Sequence, residues 1–275
     1  MKKILPIALL SAFTAAAFLL ARQQRIDETR ESLLVALRVV QQHEKQLDRA
    51  ASKVLPLTPE EERAIGVEFD SRLTAGAGGP DRPQDEGLLR EIGRPLARTS
   101  LVTRFPDAYE FRVLHGRPGN NAFAVPGGFV YVLPGLLDRF RTAPAALAFV
   151  LGHEIGHVEL GHCSDGIRTR EWFRKAGLSY VGDAAGLLRV LAQLHFSEVQ
   201  EIEADEFAVK LLKAARQDPA AALQAMDLLE LPQDAGARRD PADAAWEGLS
   251  DYWRTHPRGW ERRSRLQRLV GRRPR

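Results

Sequence analysis

Hydrophobic and polar positions alternate along the chain with three different periods, and each period predicts a different kind of element. Lys2 and Lys3 precede an uncharged run from Ile4 to Ala21, which as a helix spans roughly 27 Å, the depth of a bilayer core. Basic residues followed by an apolar run, with Ala15-Ala16-Ala17 as a small-residue cleavage site, have the order of an export signal or a retained anchor. Beyond it Ile26, Leu33, Val40 and Leu47 recur every seven residues among charges, the pattern of an amphipathic stalk helix or a short dimerising coiled coil. At Leu57 the pattern changes. Thr58-Pro59-Glu60-Glu61-Glu62 reads as a helix start, with a capping hydroxyl, proline in the first turn and acids at the positive end of the dipole. A second helix is expected over Gly87 to Ser100. Period-two stretches then predict strands at Phe111 to Leu114, Asn121 to Val125 and Phe129 to Leu133, the last two joined by a Pro126-Gly127-Gly128 turn. Helical periodicity returns over 135–141, 144–163, 183–213 and 219–230. The expected organisation is a signal or anchor at 1–21, a stalk at 22–56 and one folded domain at 57–275.

Composition narrows the class. Hydrophobic residues make up 44% of the 275 positions and charged residues 27%, enough apolar material for a core and too much for a disordered polymer. The single cysteine, Cys163, excludes a disulfide framework and any cysteine-rich zinc module; at the end of an apolar helix it is expected to be a packed thiol. Basic residues exceed acidic ones by only 39 to 36, and the two are interspersed until a dense basic run from Arg254 to Arg275. No aromatic-studded motif accompanies that run, so no nucleic-acid partner is expected.

The chemistry lies on the helix that begins near Pro144, where the chain reads His153-Glu154-Ile155-Gly156-His157. Positions four apart share a helix face, so two imidazoles point the same way with a carboxylate beside them, the H-E-x-x-H arrangement that binds zinc and places a general base next to it. Apolar residues from Ala145 to Leu151 imply that this helix is buried, and buried polar groups need partners, which a cation supplies. A catalytic zinc takes three protein ligands and keeps one position open. A third histidine spaced six residues after the motif would fall on Cys163, and His162 is one residue out of register. The better source is the acidic run Glu201-Ile202-Glu203-Ala204-Asp205, where Glu201 and Asp205 share a face, one able to ligate and the other to hold an imidazole by its outer nitrogen. Glu198, Glu203 and Glu206 compete for the ligand role.

Three segments, Asn121-Ala122-Phe123-Ala124-Val125-Pro126-Gly127-Gly128, His153 to His157 and Glu201 to Asp205, together resemble the HtpX and CAAX-prenyl-endopeptidase family of zinc metallopeptidases, in its compact exported bacterial form. The resemblance runs from about Leu57 to Leu269. It implies an α+β, mostly helical, zincin-like domain with a small sheet or hairpin whose edge strand lines the cleft. It implies one zinc per chain held by His153, His157 and Glu201, with Glu154 as catalytic base and Asp205 in support. The edge strand from Asn121 through Ala122, Phe123 and Ala124 to Val125 would bind substrate as an added strand. Thr255-His256-Pro257 with Arg262 is similar to a further family element, which implies that His256 and Arg262 face the site and stabilise an oxyanion. The expected function is zinc-dependent proteolysis of extended or misfolded envelope proteins in the periplasm, membrane-attached through residues 4–21 or released. The competing expectation is a zinc-binding chaperone or scaffold of the same fold that cleaves nothing. A single apolar segment argues against prenyl-protein processing, which needs an intramembrane chamber.

Overall fold

In the computed structural model the described residues are 57–75, 82–115, 117, 119–164, 196–231, 256 and 260–271. All belong to a compact unit spanning Ser52–Arg275. The expected signal or anchor, the stalk, residues 165–195 with the expected helix start at 183, and the smaller part of the basic tail lie outside them. Among the described residues no helix is long and apolar enough to cross a membrane.

The first helix, α1 (Pro59–Thr74), begins where its caps require. The Thr58 hydroxyl accepts from the Glu61 amide at 3.2 Å and Glu61 accepts from the Thr58 amide at 3.0 Å, a reciprocal pair that satisfies two donors the helix cannot. Helix α2 (Pro83–Ala97) follows, four residues ahead of the predicted start, because Pro83 fits the first helical turn. Strands β1 (Glu110–Val113), β2 (Ala122–Val125) and β3 (Phe129–Val132) form a sheet in the order β1-β3-β2. β2 and β3 are an antiparallel hairpin with Phe123 opposite Tyr131, and β1 runs parallel to β3 with Phe111 opposite Val130. Gly127 and Gly128 turn the hairpin at φ 83° and 89°, conformations open to glycine and strained for other residues.

Both faces of the β2–β3 hairpin are covered, which is why these two strands are apolar on both phases, whereas β1 buries Phe111 and Val113 and leaves Glu110 and Arg112 half-exposed. Phe123, Val125, Phe129, Tyr131 and Leu133 pack with Phe69 and Leu73 of α1. Ala122, Ala124, Val130 and Val132 face the main core, with Leu89 and Leu96 of α2 and the apolar residues of the motif helix. After a short α3 (Pro134–Phe140), that motif helix, α4 (Pro144–Glu159), is buried from Ala146 to Val158. A helix apolar all round has to lie inside other elements. It ends before the predicted residue 163, because Gly161 takes φ 78° and turns the chain out of the helix. The next helix, α5 (Glu198–Ala214), starts from a second reciprocal cap between Ser197 and Gln200. α6 (Ala221–Glu230) starts two residues later than expected, and α7 (Trp260–Gly271) lies within the basic run, where the sequence pattern predicted no helix. It is a helix because Leu266 and Arg262 turn inward, both at 0% exposure, while Arg263 and Arg265 pair with acids at its surface.

The contact that places the site is the seam between α4 and α5. Gly152 and Gly156 on α4 face Ala208 and Ala204 on α5, and a methyl built on Gly156 would lie 3.2 Å from the Ala204 backbone. Glycine against alanine lets the backbones approach, and the approach carries Glu201 and Asp205 up to the histidines. We expect Gly156→Val to lower stability by about 1–3 kcal/mol through overpacking, whereas Gly87→Ala, whose added methyl meets nothing within 4 Å, should raise it by about 0.5–1 kcal/mol through helix propensity. Denaturant midpoints of the two variants measure the contrast; equal effects would mean that the seam is not tightly packed.

Candidate metal centre

His153, Glu154 and His157 come from one side of α4, Glu201 and Asp205 from one side of α5, and His256 and Arg262 from the C-terminal part of the chain; all seven are buried. The Nε2 atoms of His153 and His157 lie 3.0 Å apart. Glu201 brings Oε2 to 3.6 Å from His153 Nε2 and Oε1 to 3.5 Å from His157 Nε2. His256 joins them, its Nδ1 3.1 Å from Glu201 Oε1 and 3.3 Å from His153 Nε2. One donor atom from each of these four residues lies within 4.8 Å of all the others.

The tautomers fit a cation. His153 gives its Nδ1 proton to Asp205 Oδ1 at 2.9 Å, so in the neutral ring Nε2 carries a lone pair directed into the cluster. Ligands about 2.0–2.2 Å from a shared zinc would sit about 3.3–3.6 Å from one another in a tetrahedron, close to the separations found. Glu154 reinforces this. Its carboxyl is at 0% exposure, and no described side chain hydrogen-bonds to either oxygen; His256 Nε2 lies 3.5 Å from Oε1.

Arg262 stands behind the donors. Its Nε and one terminal nitrogen donate to the two oxygens of Asp205 at 2.8 and 2.9 Å, and the other terminal nitrogen pairs with Glu201 Oε2 at 2.7 Å. A guanidinium in this fork fixes both carboxylates at once. Burial would raise the pKa of Glu201, but His256, Arg262 and the bonds from His153 and His157 hold it well below the carboxylate range. Asp205 is likewise kept low against burial, mainly by Arg262. Burial depresses His157, whereas for His153 the two carboxylates outweigh burial and raise it.

The substrate-facing candidates lie alongside. Asn121 takes the Leu133 amide on its carbonyl at 2.8 Å, which sets the hairpin's alternation. Phe123 and Val125 then bond across to β3, while the backbone groups of Ala122 and Ala124 point to the other edge. That edge faces the site: the Ala124 carbonyl accepts from the Cys163 thiol at 3.6 Å, and the Ala124 backbone is close enough to favour charge on Glu154. Cys163 itself is a buried thiol at 1% exposure.

Of the other acids weighed from the sequence, Glu198 and Glu203 are exposed, and Glu206 pairs with Arg265 at 3.1 Å. Three features were not anticipated. His256 sits among the donors rather than beside them. Phe196 stacks on the His157 ring with centroids 3.7 Å apart. His162 reaches His157 Nδ1 at 3.0 Å. Two of these left a trace in the sequence: His256 in the family element that brought it near the site, and His162 in a glycine positioned to end the helix one residue before it.

Residues 83–270 match Peptidase family M48. The chain is 36% identical over 193 residues to the Mitochondrial metalloendopeptidase OMA1 of Arabidopsis thaliana, covering 68% of this chain and 37% of that protein. It is 31% identical over 112 residues to the Metalloprotease LoiP of Escherichia coli K12, covering 36% and 43%. The Beta-barrel assembly-enhancing protease of the same organism is 30% identical over 120 residues, covering 37% and 24%. The matched region thus spans less than half the length of each of these relatives. With most of the chain inside the family match and a His-His-Glu donor cluster at its centre, the protein belongs to peptidase family M48.

Proposed function

We propose that the protein is a zinc-dependent endopeptidase that cleaves extended or misfolded proteins of the bacterial envelope. The observation that carries the reading is the convergence of His153, His157 and Glu201 on one buried point, with the oxygens of Glu154 beside it. Those three residues would hold one zinc ion, which when bound supplies Lewis acidity for a peptide carbonyl and lowers the pKa of an associated water from about 15.7 toward 7.

The chain's own groups divide the remaining work. In the absence of a cation, burial raises the Glu154 carboxyl to about 8, with His256 opposing the shift. A dication nearby favours the carboxylate, which can then accept a proton from the attacking water and return it to the leaving amine. His256 has one ring nitrogen among the donors and the other toward Glu154. We assign it the oxyanion role expected from the sequence; a donor so placed contributes about 3–4 kcal/mol to barrier lowering. Arg262, with each guanidinium nitrogen on a carboxylate, we assign instead to holding Glu201 and Asp205.

Substrate would add as a strand to the outer edge of β2, along Ala122 and Ala124. Main-chain pairing accepts an unfolded segment of almost any sequence, which suits removal of misassembled proteins. A relative named for enhancing β-barrel assembly supports that choice of substrate, and the apolar run at 4–21 supports export to the periplasm with membrane attachment or release. The second reading, a zinc-binding scaffold without proteolysis, draws on His256: four protein donors make the closed coordination typical of structural zinc.

Two outcomes test the assignment of Glu154. In the metal-free protein the raised pKa means that the folded state binds a proton the unfolded state has lost between pH 4.5 and about 8, so this group's contribution to stability falls as pH rises through that window. Glu154→Gln should therefore stabilise the metal-free chain relative to wild type, by a margin that grows across the window; a margin independent of pH would contradict the burial argument. Loaded with zinc, Glu154→Ala should retain about one ion per chain and lose at least 100-fold in casein cleavage, the lower range for a general base, whereas Glu201→Ala should lose the ion. Undiminished cleavage by Glu154→Ala would remove that residue from the chemistry, and absence of cleavage by the zinc-loaded wild type would favour the scaffold.

A further inference from the structure

His162 is buried, at 6% exposure, and the chemistry above does not use it. Its Nδ1 lies 3.0 Å from Nδ1 of His157, and its Nε2 lies 3.2 Å from Oε2 of Glu203, whose side chain is 51% exposed. Had α4 continued, a residue five positions past His157 would sit about 140° around the helix from it. The turn at Gly161, φ 78°, re-aims the chain so that the two rings meet edge to face at 5.1 Å and 65°. Phe196 closes another side of His157, stacked at 21°.

Hydrogen-bond direction follows from what His157 has to offer. A neutral imidazole with its Nε2 lone pair on a cation carries its proton on Nδ1. That proton points to His162 Nδ1, which must then be the acceptor. The His162 proton accordingly sits on Nε2, where it donates to the Glu203 carboxylate. We propose that His162 and Glu203 form a relay that fixes the tautomer and orientation of His157, the counterpart on this ligand of what Asp205 does for His153. His162 is thus a positioning residue, acting through His157, and the inference rests on the reading of His153, His157 and Glu201 as metal ligands. The two imidazoles are backed unequally. Behind His153 is a dry carboxylate clamped by Arg262. Behind His157 is a neutral ring whose own partner faces water, where screening weakens charge.

The test is zinc affinity of the full chain, measured by competition with a chelating dye, with a melt of each metal-free variant to establish folding. His162→Phe keeps a ring but no acceptor and should bind zinc about 10- to 100-fold more weakly, the range for loss of a ligand's outer partner. His162→Asn restores an acceptor near the Nδ1 position and should recover most of the loss. Glu203→Gln, at the surface, should give a smaller loss than His162→Phe. Imidazole nitrogen NMR of the zinc-loaded wild type should show His162 protonated at Nε2, and this readout decides the matter if His162→Phe fails to fold. Wild-type affinity in His162→Phe, no recovery in His162→Asn, or a His162 proton on Nδ1 would each overturn the relay. A wild-type chain that takes up no zinc would remove the metal-site reading itself; a wild type that loads normally beside unaffected variants would remove the relay alone.

Discussion

Glu154, Glu201 and Asp205 are buried carboxylates gathered around two buried histidines, and the charge balance of that space governs the rest of the structure. Leaving ions in a dry interior costs several kcal/mol each unless they are paired. Arg262 supplies one permanent positive charge and spends it on Asp205 and Glu201. Glu154 has no such partner, and burial, with the neighbouring Glu201 charge, pushes its carboxyl up to about 8, while Glu201 and Asp205 are held low. A dication at the donor cluster would bring three carboxylates and one guanidinium to neutrality and release the proton from Glu154. The same burial that raises the Glu154 carboxyl would make it an available base beside a bound dication.

The fold is organised around delivering these groups. Two helices supply the donors and the base, and their glycine–alanine seam sets how near the carboxylates come to the imidazoles. The sheet covers α4 with one face and gives the site an edge with outward-turned backbone at Ala122 and Ala124. α7 brings Arg262 to the back of the cluster, so the C-terminal part of the chain is built into the site. Tyr109 and the amides of Thr103 and Arg104 bond the Glu159 carboxylate, tying the end of α4 to the loop before β1. The motif helix is therefore held by its sides and at its end, and its histidines have little freedom to reorient.

Local chemistry was legible in the sequence, and long-range placement was not. The reciprocal cap at Thr58 and the turn at Gly127 and Gly128 are decided by neighbours a few residues apart, and they occur where those residues put them. So does the shared face of His153 and His157, since helical spacing alone determines it. That Glu201 and Asp205 would meet α4 was a candidate from their shared face, but only the family resemblance chose them over Glu198, Glu203 and Glu206. Helix α7 was hidden because its inward positions include an arginine, which the periodicity alone reads as surface; the family resemblance turned Arg262 toward the site but gave no helix to carry it. For the same reason His256 could be expected near the site but not located among the donors, as nothing within its own segment says where a distant loop will rest.

The central claim is that one cation belongs among His153, His157 and Glu201. Anomalous diffraction at the zinc edge from crystals of the zinc-loaded protein tests it most directly. The account predicts one peak per chain, about 2.0–2.2 Å from Nε2 of both histidines and from a Glu201 oxygen. A peak elsewhere, or none at this cluster in protein that retains its fold, would contradict it.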